Sequence, residues 1–150
     1  MPQSLVKMLT HVVFSTKDRV DLISPEIEDK LFGYISGIIK NNDSRLIIAN
    51  GTPNHVHLLL SLGKTISLSS LVGEIKRGSS SWMKTQDSKF AKFYWQNGYG
   101  AFSVAQSQVE DVMRYIRSQK EHHKTKDFKT EYRVILDKYE IEYDEKYLWD

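Results

Sequence analysis

Residues 45–62 read RLIIANGTPNHVHLLLSL. Two runs rich in Ile, Leu and Val flank Gly51-Thr52-Pro53-Asn54, residue types that make tight turns. Arg45–Asn50 therefore predicts a short strand and His55–Leu62 a second one, and the short link between them predicts a hairpin. The second strand is nearly apolar on both faces except for its histidines, which predicts a central place in a sheet.

Upstream, Leu5–Ser15 (LVKMLTHVVFS) has the β-branched and aromatic content of a strand. A helix is expected to start at Ser24, with Pro25 in its first position and Glu26 and Glu28 at its positive end. Ile27, Leu31, Ile35 and Ile38 form its apolar stripe. Downstream, a second helix is expected over about 67–84, with Leu68, Leu71, Val72, Ile75 and Ser79 facing inward. The aromatic, glycine-rich connector Phe93–Gly100 then leads into a strand over Ala101–Val104. The order strand, helix, strand, strand, helix, strand is the split β-α-β pattern of an α+β, ferredoxin-like or RRM-like fold. Its helices would cover one face of an antiparallel sheet and leave the other for a site.

Beyond these elements, Ser107 and Glu110 have the spacing of a capping box. They predict a third helix whose Val109, Val112, Met113 and Ile116 face inward. A further helix is expected over Phe128–Tyr139, followed by an acidic, aromatic tail at 141–150. Residues 1–150 are expected to form one domain.

The chain has no cysteine, which excludes disulfides, thiolate metal sites and a cysteine nucleophile. No apolar run reaches the length of a membrane span, and residues 1–5 (MPQSL) do not open a signal peptide. The expected compartment is the cytoplasm. The net charge is only +2, but it is polarised along the chain. Arg114–Arg133 has seven basic and three acidic residues, and Val134–Asp150 has two basic and six acidic.

His55 and His57 are two apart on a strand, so both side chains lie on one face, with Val56, Leu58 and Leu60 on the other. Two adjacent imidazoles can begin a metal site but need a third ligand to finish it; alone, they also read as ordinary histidines. Tyr115 and Gln119 are four apart on the third predicted helix and therefore neighbours on it. The Gln119 amide oxygen is a hard, neutral donor that would complete a His-His-Gln set for Mg²⁺ or Mn²⁺. A tyrosine can attack a phosphodiester and form a phosphotyrosine bond. Its pKa near 10 makes it a poor nucleophile at neutral pH, and a divalent ion polarising the phosphate offsets that. A freed 3′-hydroxyl could reverse the step, so DNA could be cut and rejoined without ATP.

Together these residues resemble the small HUH-type, single-tyrosine (Y1) transposases of the IS200/IS605 group. The first signature stands as Pro53-Asn54-His55-Val56-His57-Leu58-Leu59-Leu60, and the second as Met113-Arg114-Tyr115-Ile116-Arg117-Ser118-Gln119. Ser69–Lys76, Trp95–Val104 and the terminal Tyr143–Trp149 are similar to segments of the same group. The resemblance implies His55, His57 and Gln119 as metal ligands, and Tyr115 as the nucleophile of a 5′-phosphotyrosine intermediate. It also implies single-stranded DNA with hairpin ends as substrate, Mg²⁺ or Mn²⁺ as cofactor, and a homodimer in which the tyrosine helix can complete the partner's site. A variant reading is an element-free relative acting on or binding repeated palindromic DNA.

For the DNA surface, the candidate phosphate contacts are Lys76, Arg77, Arg114, Arg117 and Lys120. Trp82, Phe93, Tyr94 and Trp95 are candidate stacking platforms or core residues. Three rival readings exist. An RRM-like binder would show aromatics where His55 and His57 stand. A two-histidine phosphoesterase would need a second His-x-Thr/Ser motif. A purely structural dimer would have no use for both signatures.

Overall fold

The structure, a computed structural model, describes residues 2–150; Met1 lies outside the described residues. Four strands form the sheet: β1 (Met8–Ser15), β2 (Arg45–Thr52), β3 (His55–Leu62) and β4 (Gly100–Ser103). Helix α1 (Pro25–Asn41) joins β1 to β2, and α2 (Leu68–Gln86) lies between β3 and β4. The sheet order is β2-β3-β1-β4 with every pair antiparallel. This is the ferredoxin-like arrangement expected from the element order.

The hairpin is tighter than the sequence suggests. Strand pairing runs on to Thr52 opposite His55, leaving Pro53-Asn54 as the two-residue turn. Gly51 makes that closure possible: a Cβ there would stand 2.2 Å from the His55 carbonyl oxygen.

The core on one side of the sheet follows the strand alternation. Val56, Leu58 and Leu60 meet Leu31, Ile35 and Ile39 of α1 and Leu71 and Ile75 of α2, all fully buried. Truncating one such leucine to alanine costs about 2–5 kcal/mol. At Gly78 the two helices approach closely, since a Cβ there would lie 2.8 Å from Ile38 Cδ1. Phe93 and Trp95 belong to this core, and Trp82 stacks on Tyr34, whereas Tyr94 and Tyr99 of the connector are exposed.

The other face of the sheet does not stay open. Four further helices follow β4: α3 (Val109–Arg117), α4 (Gln119–His122), α5 (Phe128–Lys138) and α6 (Glu145–Leu148). Ile116 of α3 packs on Leu9 and Leu59, while Phe128, Tyr132, Ile135 and Leu136 of α5 pack with Val13 and Phe102. His55 and His57 are thereby enclosed, with no exposed surface. Tyr143, Leu148 and Trp149 of the tail pack against the α5 cluster.

Two local expectations fail. The Ser107–Glu110 capping box does not form, because residues 106–108 make a 3-10 turn and α3 begins at Val109. Ser24 is the N-cap of α1 by position, but its hydroxyl is buried without a partner. Ser67 of α2 and Asp127 of α5 do cap, accepting from Ser70 N and Thr130 N. No helix among the described residues is long and apolar enough to cross a membrane.

Candidate active site

β3 brings His55 and His57 to the enclosed face, and their Nδ1 atoms are held from behind. His55 Nδ1 lies 2.8 Å from both Thr52 Oγ1 and Asn54 Oδ1. Asn54 Oδ1 can only accept, so it provides a partner for a proton on His55 Nδ1, the tautomer that would offer the Nε2 lone pair to a cation. His57 Nδ1 lies 2.8 Å from Nε2 of His11 on β1.

Glu131 of α5 stands opposite the two imidazoles. Its Oε1 is 3.3 Å from His55 Nε2, 3.3 Å from His57 Nε2 and 2.8 Å from His123 Nε2. Its Oε2 accepts hydrogen bonds from the Tyr115 hydroxyl and, at 2.9 Å, from Gln119 Nε2. Asp127, capping α5 one turn earlier, fixes the helix end that presents Glu131; such a cap contributes about 1 kcal/mol.

Tyr115 and Gln119 meet the site from α3 and α4, which are not one continuous helix. The chain breaks at Ser118, whose hydroxyl bonds to the carbonyls of Arg114 and Tyr115. Asn50 of β2 holds the end of α3, donating from Nδ2 to the Ile116 and Arg117 carbonyls at 2.9 and 3.1 Å. Beyond the break Gln119 is fully buried, with Oε1 3.1 Å from His55 Nε2. The Tyr115 ring lies 5.8 Å from that of His57, so tyrosine and histidines come together within one chain.

Electrostatics follow from this enclosure. Burial would raise the Glu131 pKa, but hydrogen bonds from His123, His55 and His57 overcome it and hold the carboxylate well below its usual range. Burial lowers His57 to about 4 against the pull of Glu131. Burial, then the hydrogen bond to Glu131 and its charge, push the Tyr115 phenol far above its ordinary value. The phenol is therefore neutral when only protein groups surround it.

The donor atoms fit a divalent cation. One atom each from His55, His57 and Glu131 lie within 4.8 Å of one another, and all three residues are buried. Two imidazoles and a carboxylate, with a neutral amide oxygen beside them, suit Mg²⁺ or Mn²⁺.

The structure brings the expected His55, His57, Tyr115 and Gln119 together, and adds Glu131, His123 and His11, which sequence reasoning missed. Glu131 left a trace: it sits on the buried stripe of Phe128, Tyr132 and Ile135, where an unpaired charge has no place.

The expected DNA contacts divide. Lys76 Nζ binds the carbonyls of Gln96 and Gly98, each at 2.6 Å, and burial lowers its pKa to about 8. Lys120 pairs with the buried Glu28 at 2.7 Å and with Asn50 Oδ1 at 2.8 Å. Both fasten the fold. Arg77 and Arg114 are exposed and bridge Glu74 and Asp111 on their own helices. Arg117 is exposed with no ion pair among the described residues.

Comparison with known proteins agrees with this site. The family described as "Transposase IS200 like" matches residues 4–119. The chain is 25% identical over 114 residues to the ISDra2 transposase TnpA of Deinococcus radiodurans, across 73% of this chain and 81% of that protein. A crystal structure described as a transposase from Deinococcus radiodurans R1 has a TM-score of 0.61 at 22% identity, over 79% of this chain and 98% of that one. A REP-associated tyrosine transposase bound to a REP hairpin has a TM-score of 0.62 at 14% identity, over 82% of this chain and 73% of that one. The last two are likenesses of fold. Glu131 and all of α5 lie beyond the matched residues. With the histidine pair, the tyrosine and the family match in agreement, the chain belongs to the IS200-like transposases, a family that uses the HUH single-tyrosine mechanism on single-stranded DNA.

Proposed function

We propose that Tyr115 is the nucleophile that cuts single-stranded DNA at the ends of a mobile element. In this reading His55, His57 and Glu131 hold a divalent cation, and Gln119 either joins them through Oε1 or orients Glu131 through Nε2. The observation that carries it is the Tyr115 hydroxyl bonded to the same carboxylate that faces both histidines.

Attack forms the bond from Tyr115 Oη to phosphorus and breaks the bond from phosphorus to the 3′-oxygen. The phenolic proton passes to Glu131 Oε2, already its acceptor, and the leaving 3′-oxygen takes a proton from solvent. The products are a 5′-phosphotyrosine and a free 3′-hydroxyl, and attack by a 3′-hydroxyl on the phosphotyrosine restores DNA. A bound divalent cation supplies charge neutralisation at the phosphate and so offsets the raised pKa of the phenol. His123 and Gln119 keep Glu131 ionised and aimed, and Phe128, 4.5 Å from the His55 ring, closes the site against water.

The same reading takes residues 1–150 as one unit, because α5 completes a site centred on the sheet. It takes hairpin-ended DNA as the substrate, a homodimer as the working form and the bacterial cytoplasm as the place of action. Arg77, Arg114 and Arg117 are its phosphate contacts; Lys76 and Lys120 are engaged by the Gln96 and Gly98 carbonyls and by Glu28. A relative bound to a REP hairpin supports the choice of DNA and keeps the repeated-palindrome variant as the second reading.

The test uses labelled single-stranded DNA flanking the gene, with Mg²⁺ or Mn²⁺, on a denaturing gel. A covalent protein–DNA band is expected, absent with EDTA and absent in Tyr115→Phe. Cleavage that persists in Tyr115→Phe without a covalent band would replace this reading with a water-using hydrolase.

A further inference from the structure

His57 differs from His55 in what stands behind it. Behind His55 Nδ1 stands an amide oxygen that can only accept, a ready partner for the Nδ1 proton of a cation-bound His55. The partner of His57 Nδ1 is another imidazole, Nε2 of His11, and either ring can be the donor. With His57 protonated on Nε2, that atom would point a hydrogen at Glu131 Oε1 and could not bind a cation. With His57 protonated on Nδ1, His11 Nε2 must be the acceptor, and His57 Nε2 is free.

The geometry points to His11 as a positioning residue for the cation site: a neutral imidazole that accepts from His57 Nδ1 and thereby frees His57 Nε2. The inference rests on the cation-site reading above. Three observations support it. Val13 pairs with His57, so His11, two residues earlier on β1, shares the histidine face. The His11 ring stacks on His57 with centroids 5.0 Å apart, held at its edges by Phe102 and Tyr115 at 6.0 and 6.2 Å. Its other nitrogen, Nδ1, makes no hydrogen bond among the described residues, so it can take the proton without displacing a partner. His11 also lines a cavity of about 390 Å³ beside Tyr115, which gives that proton a route to solvent.

The proton balance is closed. On cation binding, His57 gives up its Nε2 proton to solvent and gains one on Nδ1 from His11 Nε2; His11 takes one from solvent on Nδ1, so one proton leaves and one enters. Both rings stay neutral throughout.

Mn²⁺ affinity of the DNA-free protein, read by calorimetry, tests this on wild type, His11→Phe, His11→Gln and His57→Ala. His11→Phe keeps a ring but loses the acceptor, and its affinity should fall about 10–100-fold, as for other groups that orient a metal ligand. His11→Gln keeps an oxygen acceptor and should recover most of that loss, which a purely packing role would not give. A Mn²⁺ site lost in His57→Ala but intact in His11→Phe overturns the role of His11 and leaves the cation site standing. A wild-type protein that binds no Mn²⁺ overturns both. Should His11→Phe not fold, ¹⁵N spectra of the wild-type histidines with Mg²⁺ decide: Nδ1–H on both His57 and His11 is expected, and Nε2–H on His11 overturns the inference.

Discussion

Tyr115 donates its hydroxyl hydrogen to Oε2 of Glu131, while Oε1 of the same carboxylate faces His55, His57 and His123. One side chain thus joins the nucleophile to the cation site. A carboxylate is a weak base for a phenol, by the gap between about 4.3 and about 10 in ordinary pKa. It need not deprotonate the resting tyrosine; it needs to receive the proton as the bond to phosphorus forms.

Glu131→Gln should separate these roles. The variant keeps the shape and loses the charge, so adduct formation should fall about 100-fold or more. Mn²⁺ affinity should fall by about 10–100-fold, since a cation ligand is neutralised. Tyr115→Phe should abolish the adduct and leave Mn²⁺ binding nearly unchanged. Single-turnover gels and calorimetry read the two effects. Wild-type rates in Glu131→Gln would remove the carboxylate from the chemistry.

Because Tyr115 reaches the histidines of its own chain, two inactive proteins should not rescue each other. Equal amounts of Tyr115→Phe and His57→Ala, mixed and incubated together, should give no covalent band. A site completed by a partner's helix would instead recover about a quarter of wild-type adduct, since half the dimers are mixed and each has one intact site of two.

Much of the site was legible because strand parity is a hard rule. His55 and His57 had to share a face, and Val56, Leu58 and Leu60 had to meet the helices. The rest depended on contacts that local pattern does not encode. Glu131 reaches His57 across 74 residues of sequence. The break at Ser118 is held by Asn50, a side chain on another element, so the Tyr115–Gln119 spacing suggested a continuous helix that does not exist. Lys76 and Lys120 looked like surface cations because nothing in their neighbourhood announces the carbonyls and the carboxylate that take them.

Those two lysines should therefore behave unlike Arg117. Lys120→Met leaves the buried Glu28 carboxylate without its partner, and a loss of about 1–2 kcal/mol in stability is expected, discounted for the exposed lysine stem. Arg117→Ala should leave stability unchanged and weaken single-stranded DNA binding. The slope of log affinity against log salt should drop by about 0.7 for one lost phosphate contact. Urea melts and salt-titrated binding distinguish the two classes, and a Lys120→Met protein of full stability would return that residue to the DNA surface.

Acid should unfold the cation-free protein through its buried histidines. Burial holds His11 at about 3 and His57 at about 4, below the value of 6.5 from which both are shifted. Between pH 6.5 and 4 the unfolded chain takes up protons that the folded chain refuses. Stability is then complete above about 6.5 and falls as pH drops. Glu131, whose pKa is also depressed, adds a loss of the same sign at lower pH. The two histidines should together cost about 3–5 kcal/mol between pH 7 and 4.5, from about 1.4 kcal/mol per pKa unit. Urea midpoints measured in EDTA should fall accordingly, and about half as steeply in His11→Phe, which lacks one of the two groups. A midpoint that stays flat from pH 7 to 4.5 would mean that both rings titrate freely in the folded protein, and the enclosure of the site by α3 and α5 would then be wrong.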